Sequence, residues 1–261
     1  MKIHLLWKKE EIEERHINED KIAVVFDVLL ATSTIASCLA SGARQIIPVL
    51  NPEEAFRMKD KLNSATEDTL LAGETDGLPV EGFINPLPSI LNSQVAGKTI
   101  ILSTTNGTVA IRKAAPAKKV YTASLLNGEA VGKRIADTHD NETIVAICSG
   151  SRNNFCMEDY YGAGYFIHCL IREMDDAELT DSARSAQLFY ENMKEEAVSV
   201  LAQSSVGQML SDYGFYEDVA YVSQRGIMDV VPRLNEAGTV LMDEGDTFSE
   251  HGPAEKQRHH L

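Results

Sequence analysis

The chain has 261 residues, 44% of them hydrophobic, and its 24 basic against 39 acidic side chains give a formal charge of −15. So much apolar material supplies a sizeable core and argues against a disordered chain, while the acidic balance would repel a polyphosphate backbone and speaks against nucleic acid as a partner. A small anionic ligand meets the same field, so any site for one needs local positive charge or a bound cation.

Residues 1–7 are apolar for too short a stretch to form a signal peptide and run directly into Lys8, Lys9, Glu10 and Glu11. The longest uncharged stretches, such as 28–43, fall short of the roughly 20 apolar residues of a membrane helix. A soluble, cytoplasmic protein is expected. Residues 22–26 are a continuous apolar run of strand length, followed by a helix from about Ala31 with Ile35, Cys38 and Leu39 on one face and Gly42 as a stop. Residues 46–50 read as the next strand. Asn51 as N-cap, Pro52 at the first helical position and Glu54 reaching back then describe a capped helix start. Strands at 69–73 and 99–102 lead to a polar turn over 103–108 and a helix from about Val109 that ends before Pro116. A strand at 119–122, a helix around 127–136 and a strand at 143–148 continue the alternation. It predicts an α/β fold, layered α/β/α around a mostly parallel or mixed sheet. Beyond it, 160–174, 182–202 and 206–213 carry apolar residues at helical spacing, so the C-terminal half is helix-rich. Gly214 fits a C-cap, and 229–232 a last short strand or extended segment. One domain over 1–243 is expected, with two lobes of about 1–140 and 141–243 as the alternative, followed by a polar tail over 244–261.

In an open α/β sheet, ligands bind beyond the carboxyl ends of the strands. There this chain is polar: Asp27, Glu74, the 103–106 turn, and Ser149, Gly150 and Ser151. Thr32, Ser33 and Thr34 open one helix. Ser103, Thr104, Thr105, Asn106, Gly107 and Thr108 open another, with Gly107 free to take a positive φ. Free N–H groups at a helix start beside such donors make an anion site, for phosphate in particular, although Ser and Thr are also ordinary N-caps. Mg²⁺ takes one or two carboxylates, several waters and a phosphate oxygen. Asp27 and Glu74 have that chemistry and location. Glu158 and Asp159 stand together at the start of the 160–174 helix, where acidic residues also complement the helix dipole.

Other chemistries fail on spacing. Four cysteines without a C-x-x-C pair read as buried thiols. Cys148 follows a strand, but a C-x5-R phosphatase loop needs Arg where this chain has Asn154. A haloacid dehalogenase would need Asp where Leu29 stands. Seven histidines without ligand spacing argue against zinc, and Gly150 without G-x-G-x-x-G or G-K-[ST] argues against dinucleotide binding and a P-loop.

Several segments together resemble the 2-phosphosulfolactate phosphatase family, a Mg²⁺-dependent group associated with sulfolactate and coenzyme M synthesis. They are F-D-V-L-L-A-T-S-T at 26–34, G-E at 73–74, G-F at 82–83, T-T-N-G-T at 104–108, C-S-G at 148–150, E-D-Y-Y-G-A-G at 158–164 and D-V-V-P at 229–232. Their order spans most of the chain. The resemblance implies an α/β fold particular to that family and hydrolysis of a phosphate monoester whose product is (R)-3-sulfolactate. It implies Asp27, Glu74, Glu158 and Asp159 as the acidic, metal-binding set, and the 32–34 and 104–108 turns as the phosphate cradle.

Two positions depart from the family pattern. Leu30 stands where the family has Arg, and I-N-P-L-P at 84–88 replaces a stretch running to Asp and G-N-S-P. Arg152, near the rim, is the candidate to supply the lost charge to the substrate. The expectation is a cytoplasmic Mg²⁺-dependent phosphomonoesterase for a small anionic phosphate ester, with Asp27, Glu158 and Asp159 as its catalytic groups. Asp27 would be a metal ligand, a water-orienting group or the nucleophile. The alternatives are a non-catalytic binder of a small phosphorylated or sulfonated acid, and a phosphatase retuned to a less anionic ester. No nucleic acid or membrane is expected as a partner, and self-association into a homo-oligomer stays open.

Overall fold

The computed structural model describes residues 1–244 apart from 14, 16, 63–67, 140 and 175, so nearly all of the expected polar tail lies outside the described residues. Strands β1 (Lys2–Leu6) and β2 (Lys21–Phe26) precede helix α1 (Ala31–Ala40). Then come β3 (Gln45–Val49), α2 (Pro52–Lys61), β4 (Thr69–Thr75), β5 (Leu78–Pro79), α3 (Pro88–Leu91), β6 (Thr99–Ser103) and α4 (Gly107–Ala114). β7 (Lys119–Ala123), α5 (Gly128–Thr138) and β8 (Thr143–Cys148) complete the first half. The second half holds α6 (Met157–Arg172), β9 (Glu178–Leu179), α7 (Asp181–Asn192), α8 (Ala197–Gln203), α9 (Ser205–Asp212) and α10 (Tyr216–Val222). It closes with β10 (Pro232–Leu234) and β11 (Val240–Met242).

The fold is α/β, as the alternation predicts. The capping reading at α2 is seen in detail: Asn51 Oδ1 accepts from the Glu54 N–H at 2.9 Å, and Glu54 Oε2 accepts from the Leu50 N–H at 2.7 Å. The 182–202 helix is instead two helices, α7 and α8, parted at Met193 by a 3-10 turn over Lys194–Glu196 whose charged side chains face solvent. The expected strand at 229–232 lies slightly later, because its register is set by pairing with β11, a partner that local pattern does not reveal. Three of the four cysteines are buried; Cys169 is only half-buried.

The sheet has eleven strands in the order β5-β4-β6-β3-β11-β10-β7-β2-β8-β1-β9. It contains two parallel blocks, β4-β6-β3 and β7-β2-β8-β1-β9. The antiparallel hairpin β10–β11 joins them, pairing with β7 on one side and β3 on the other. Five strand-to-strand steps separate β2 from β6. At roughly 20–25° of twist per step, the second block is turned by roughly 100–125° relative to the first. That rotation lets the carboxyl ends of β2, β4 and β6 meet although the blocks are opposed in the ladder.

Along β2 the burial alternates between two cores. Ala23 and Val25 pack with Ile35 and Leu39 of α1 and Ile111 of α4, while Ile22, Val24 and Phe26 pack with Val131 of α5 and Phe166 and Leu170 of α6. A strand covered on both faces is the reason 22–26 reads as an unbroken apolar run. A third cluster binds α6 to α8, α9 and α10 through Tyr161, Leu201, Leu210 and Val222. On α6, a Cβ at Gly164 would stand 2.2 Å from the Ala186 carbonyl oxygen of α7. Only a glycine lets these helices approach so closely. Gly164→Ala is therefore expected to lower stability by roughly 1–3 kcal/mol, measured by urea unfolding.

Candidate active site

At the end of β2 the chain turns through Asp27, whose side chain is buried at the floor of a cavity of about 370 Å³. The turn is tied by its own hydroxyls. Thr32 Oγ1 accepts from the Asp27 N–H at 3.0 Å and donates to the Asp27 carbonyl at 2.9 Å. Ser33 Oγ donates to the Val28 carbonyl at 2.8 Å, and Thr34 Oγ1 to the Pro86 carbonyl at 2.6 Å. All three are buried and none lines the cavity. The hydroxyls of Thr32, Ser33 and Thr34, expected in a phosphate cradle, are spent in this structure on holding Asp27 in place.

The turn after β6 divides differently. Thr104 and Thr108 bond each other reciprocally, the Thr104 N–H to Thr108 Oγ1 at 3.0 Å and the Thr108 N–H to Thr104 Oγ1 at 3.1 Å. Thr104, Thr105 and Asn106 line the cavity, whereas Ser103, Gly107 and Thr108 stand behind it. Gly107 has its own reason: a Cβ there would lie 2.4 Å from Asp27 Oδ2, so the start of α4 abuts the carboxylate. Glu74, at the end of β4, is held by this turn. Its Oε1 accepts from the Thr105 N–H at 2.7 Å, and its Oε2 from the Gly77 N–H at 2.6 Å and from Thr105 Oγ1 at 3.1 Å.

Glu158 and Asp159, at the start of α6, are buried but do not line the cavity. Asp159 staples two loops, its Oδ1 accepting from the Val28 N–H at 2.9 Å and its Oδ2 from the Gly150 N–H at 3.0 Å. Expected as catalytic groups and metal ligands, they lie behind the cavity lining, Glu158 acting on Asp27 through charge and Asp159 through loop position. Arg152 does line the cavity, at its exposed mouth, with Nε 3.5 Å from Asp76 Oδ1.

Sequence reasoning passed over Lys9. It lies just after β1, is buried, and donates from Nζ to Asn106 Oδ1 at 2.8 Å while pairing with Glu10 at 3.0 Å. The bond to Asn106 Oδ1 leaves that side chain's Nδ2 as a donor. A lysine in a solvated-looking K-K-E-E run carries no signal of burial. Only the pairing of β1 beside β8 delivers it to the rim.

The carboxylates shape one another's protonation. Burial pushes Asp27 up to about 7, the charges of Glu74 and Glu158 push the same way, and the Ala31 N–H and Lys9 oppose them. Asp159 is held well above the usual carboxylate range by burial and by the charges of Asp27 and Glu158. Burial also raises Glu158. Among the described residues no three His, Cys, Asp or Glu side chains are arranged to hold a metal ion, so the four expected ligands do not form one shell. The residues present do fit a cation that asks for one or two carboxylates: Asp27 and Glu74 both line the cavity, and the hydrogen bond to Asp27 from the Ala31 N–H is long, at 3.4 Å.

An acidic cavity at the carboxyl ends of a twisted α/β sheet, with a carboxyl group that titrates near neutrality, defines an α/β protein built for chemistry on a small ligand. A family model described as 2-phosphosulpholactate phosphatase matches residues 6–237, and the chain belongs to this phosphatase family. It is similar to the "Probable 2-phosphosulfolactate phosphatase" of Carboxydothermus hydrogenoformans, at 40% identity over 250 residues covering 95% of this chain and 100% of the relative. Proteins of the same description from Clostridium perfringens strain SM101 and Clostridium acetobutylicum are 37% and 34% identical, covering 94% and 92% of this chain and 98% and 100% of theirs. Among the described residues no helix is long and apolar enough to cross a membrane.

The raised Asp27 has a measurable consequence. The folded chain keeps its proton between about pH 4, where the free side chain ionises, and about pH 7, so stability falls as pH rises through that window. In EDTA, Asp27→Asn is expected to gain on the order of 2 kcal/mol over the parent at pH 8 and little at pH 4, read from urea unfolding.

Proposed function

We propose that this chain is a Mg²⁺-dependent phosphomonoesterase that hydrolyses 2-phosphosulfolactate to 3-sulfolactate and inorganic phosphate. The observation that carries the reading is Asp27, a buried carboxyl group raised to about 7 on the cavity floor against the first turn of α4. The substrate named by the relatives supports the choice of ester.

Asp27 and Glu74 would hold the divalent ion, which when bound neutralises phosphoryl oxygens and favours ionisation of a water. The chain's own groups do the rest. Asn106 Nδ2, oriented by Lys9, and the positive end of the α4 dipole face the phosphoryl group. With the ion bound Asp27 would be ionised and would orient the attacking water, whose proton leaves with the alcohol. The water oxygen joins phosphorus as the bond from phosphorus to the alcohol oxygen breaks. Glu74 and Glu158 push Asp27 upward and Asp159 fixes its loop, while the buried Lys9 adds positive charge behind the rim and Arg152 stands at its mouth.

Phosphate release from 2-phosphosulfolactate with Mg²⁺ tests the proposal. EDTA should abolish turnover and added Mg²⁺ restore it; full activity in EDTA with the metal shown absent would end the mechanism. Asp27→Asn should lose about a hundredfold or more in kcat. Tight binding of the ester without turnover would favour the binder reading, which the chemistry of Leu30 on the cavity wall supports. Separately, Lys9→Met should lower kcat/KM about tenfold at pH 7, in steady-state assays, because Asn106 loses its anchor and the rim its cation.

A further inference from the structure

Among the described residues that line the cavity, Arg152 is the one basic side chain, and it stands at the mouth facing Asp76. Its Nε lies 3.5 Å from Asp76 Oδ1, and Nη2 lies 3.5 Å from the Asp76 carbonyl oxygen. Both contacts are long, and the two side chains are 69% and 54% exposed, so the pair is weakly held.

The backbones that carry the pair are firmly fixed. Asp76, at φ 52°, and Arg152, at φ 50°, both take the left-handed conformation that residues other than glycine rarely adopt. The Asp76 N–H donates to Thr105 Oγ1 at 2.7 Å, in the turn that also holds Glu74. Across the mouth, the Ser151 N–H donates to the Asn154 carbonyl at 3.0 Å, and Lys8 Nζ to the Asn153 carbonyl at 3.0 Å. Two tied turns thus present a cation and an anion to each other at the entrance. Only the Arg152 side chain has to move for the contact to open.

We infer, resting on the phosphomonoesterase reading, that Arg152 and Asp76 form a charge-exchange latch that sets specificity. Arg152 leaves Asp76 to bind a carboxylate or sulfonate on the alcohol part of the ester, and Asp76 is the resident anion which that group displaces. The guanidinium fork matches such oxygens in a way that its long contacts to Asp76 do not. Leu30, on the same lining, offers no charge for this purpose. A ligand without an acid group beside its phosphate leaves the pair closed and gains nothing from it.

Inorganic phosphate, which fills the phosphoryl end alone, separates the latch from the general field of the cavity. In steady-state assays with Mg²⁺, Arg152→Gln should raise KM for 2-phosphosulfolactate about tenfold, hold kcat within about threefold, and leave inhibition by inorganic phosphate unchanged. Asp76→Asn keeps a residue suited to positive φ and should lower that KM about threefold, again without moving inhibition by phosphate. In the double variant the gain should vanish, because Asp76 acts through Arg152 alone. Equal shifts for ester and phosphate, or a gain from Asp76→Asn that survives Arg152→Gln, overturn the inference and leave the phosphatase reading standing. If the ester releases no phosphate, that reading falls, and calorimetric binding of 2-phosphosulfolactate decides the latch. A Kd about tenfold weaker in Arg152→Gln supports it, while an unchanged Kd, or no binding by the parent protein, overturns it.

Discussion

Burying a carboxylate at the end of β2 is the constraint that organises this molecule. Asp27 is removed from water, placed within the field of Glu74 and Glu158, and pressed against the first turn of α4. An ionised group there is costly unless something answers its charge. The surroundings answer in part, through the Ala31 N–H, Lys9 and the α4 dipole. What remains is a carboxyl group that burial and its acidic neighbours push up to about 7, a setting suited to an acid–base or cation-binding group.

Much of the loop architecture serves to keep that group where it is. The hydroxyls of Thr32, Ser33 and Thr34 close the β2–α1 turn and tie it to Pro86. Asp159 holds the backbone on both sides, at Val28 and at Gly150. Glu74 is fastened by three donors from its own hairpin and the β6–α4 turn. Polar residues at the strand ends thus divide by position: Thr32, Ser33, Thr34 and Asp159 stay within the loops, while Asp27, Glu74, Thr104, Thr105 and Asn106 are tied by the same loops yet line the cavity.

The cavity also joins two parts of the chain with different histories in the sequence. Its floor comes from strand ends in the first half, and its apolar wall from the helices of the second. The third core cluster seats those helices on α6, so the same packing that stabilises the C-terminal half gives the apolar side of the cavity its character.

Read by itself, the sequence determined the α/β alternation, the α2 cap, the helix-rich second half and the polar rim at the strand ends, because all of these follow from period, caps and the residues that end strands. It also determined the family, through motifs spread from Phe26 to Pro232. Tertiary structure alone decided which rim residues line the cavity. Thr34 and Thr105 are alike in the sequence, yet one spends its hydroxyl on Pro86 and the other lines the cavity. The places of Lys9 and α9 at the site were illegible for the same reason: a β1–β8 pairing and a helix packed across the chain bring them toward Asp27. Such long-range placement arises from burial and sheet twist summed over many strands, a sum that no local pattern contains.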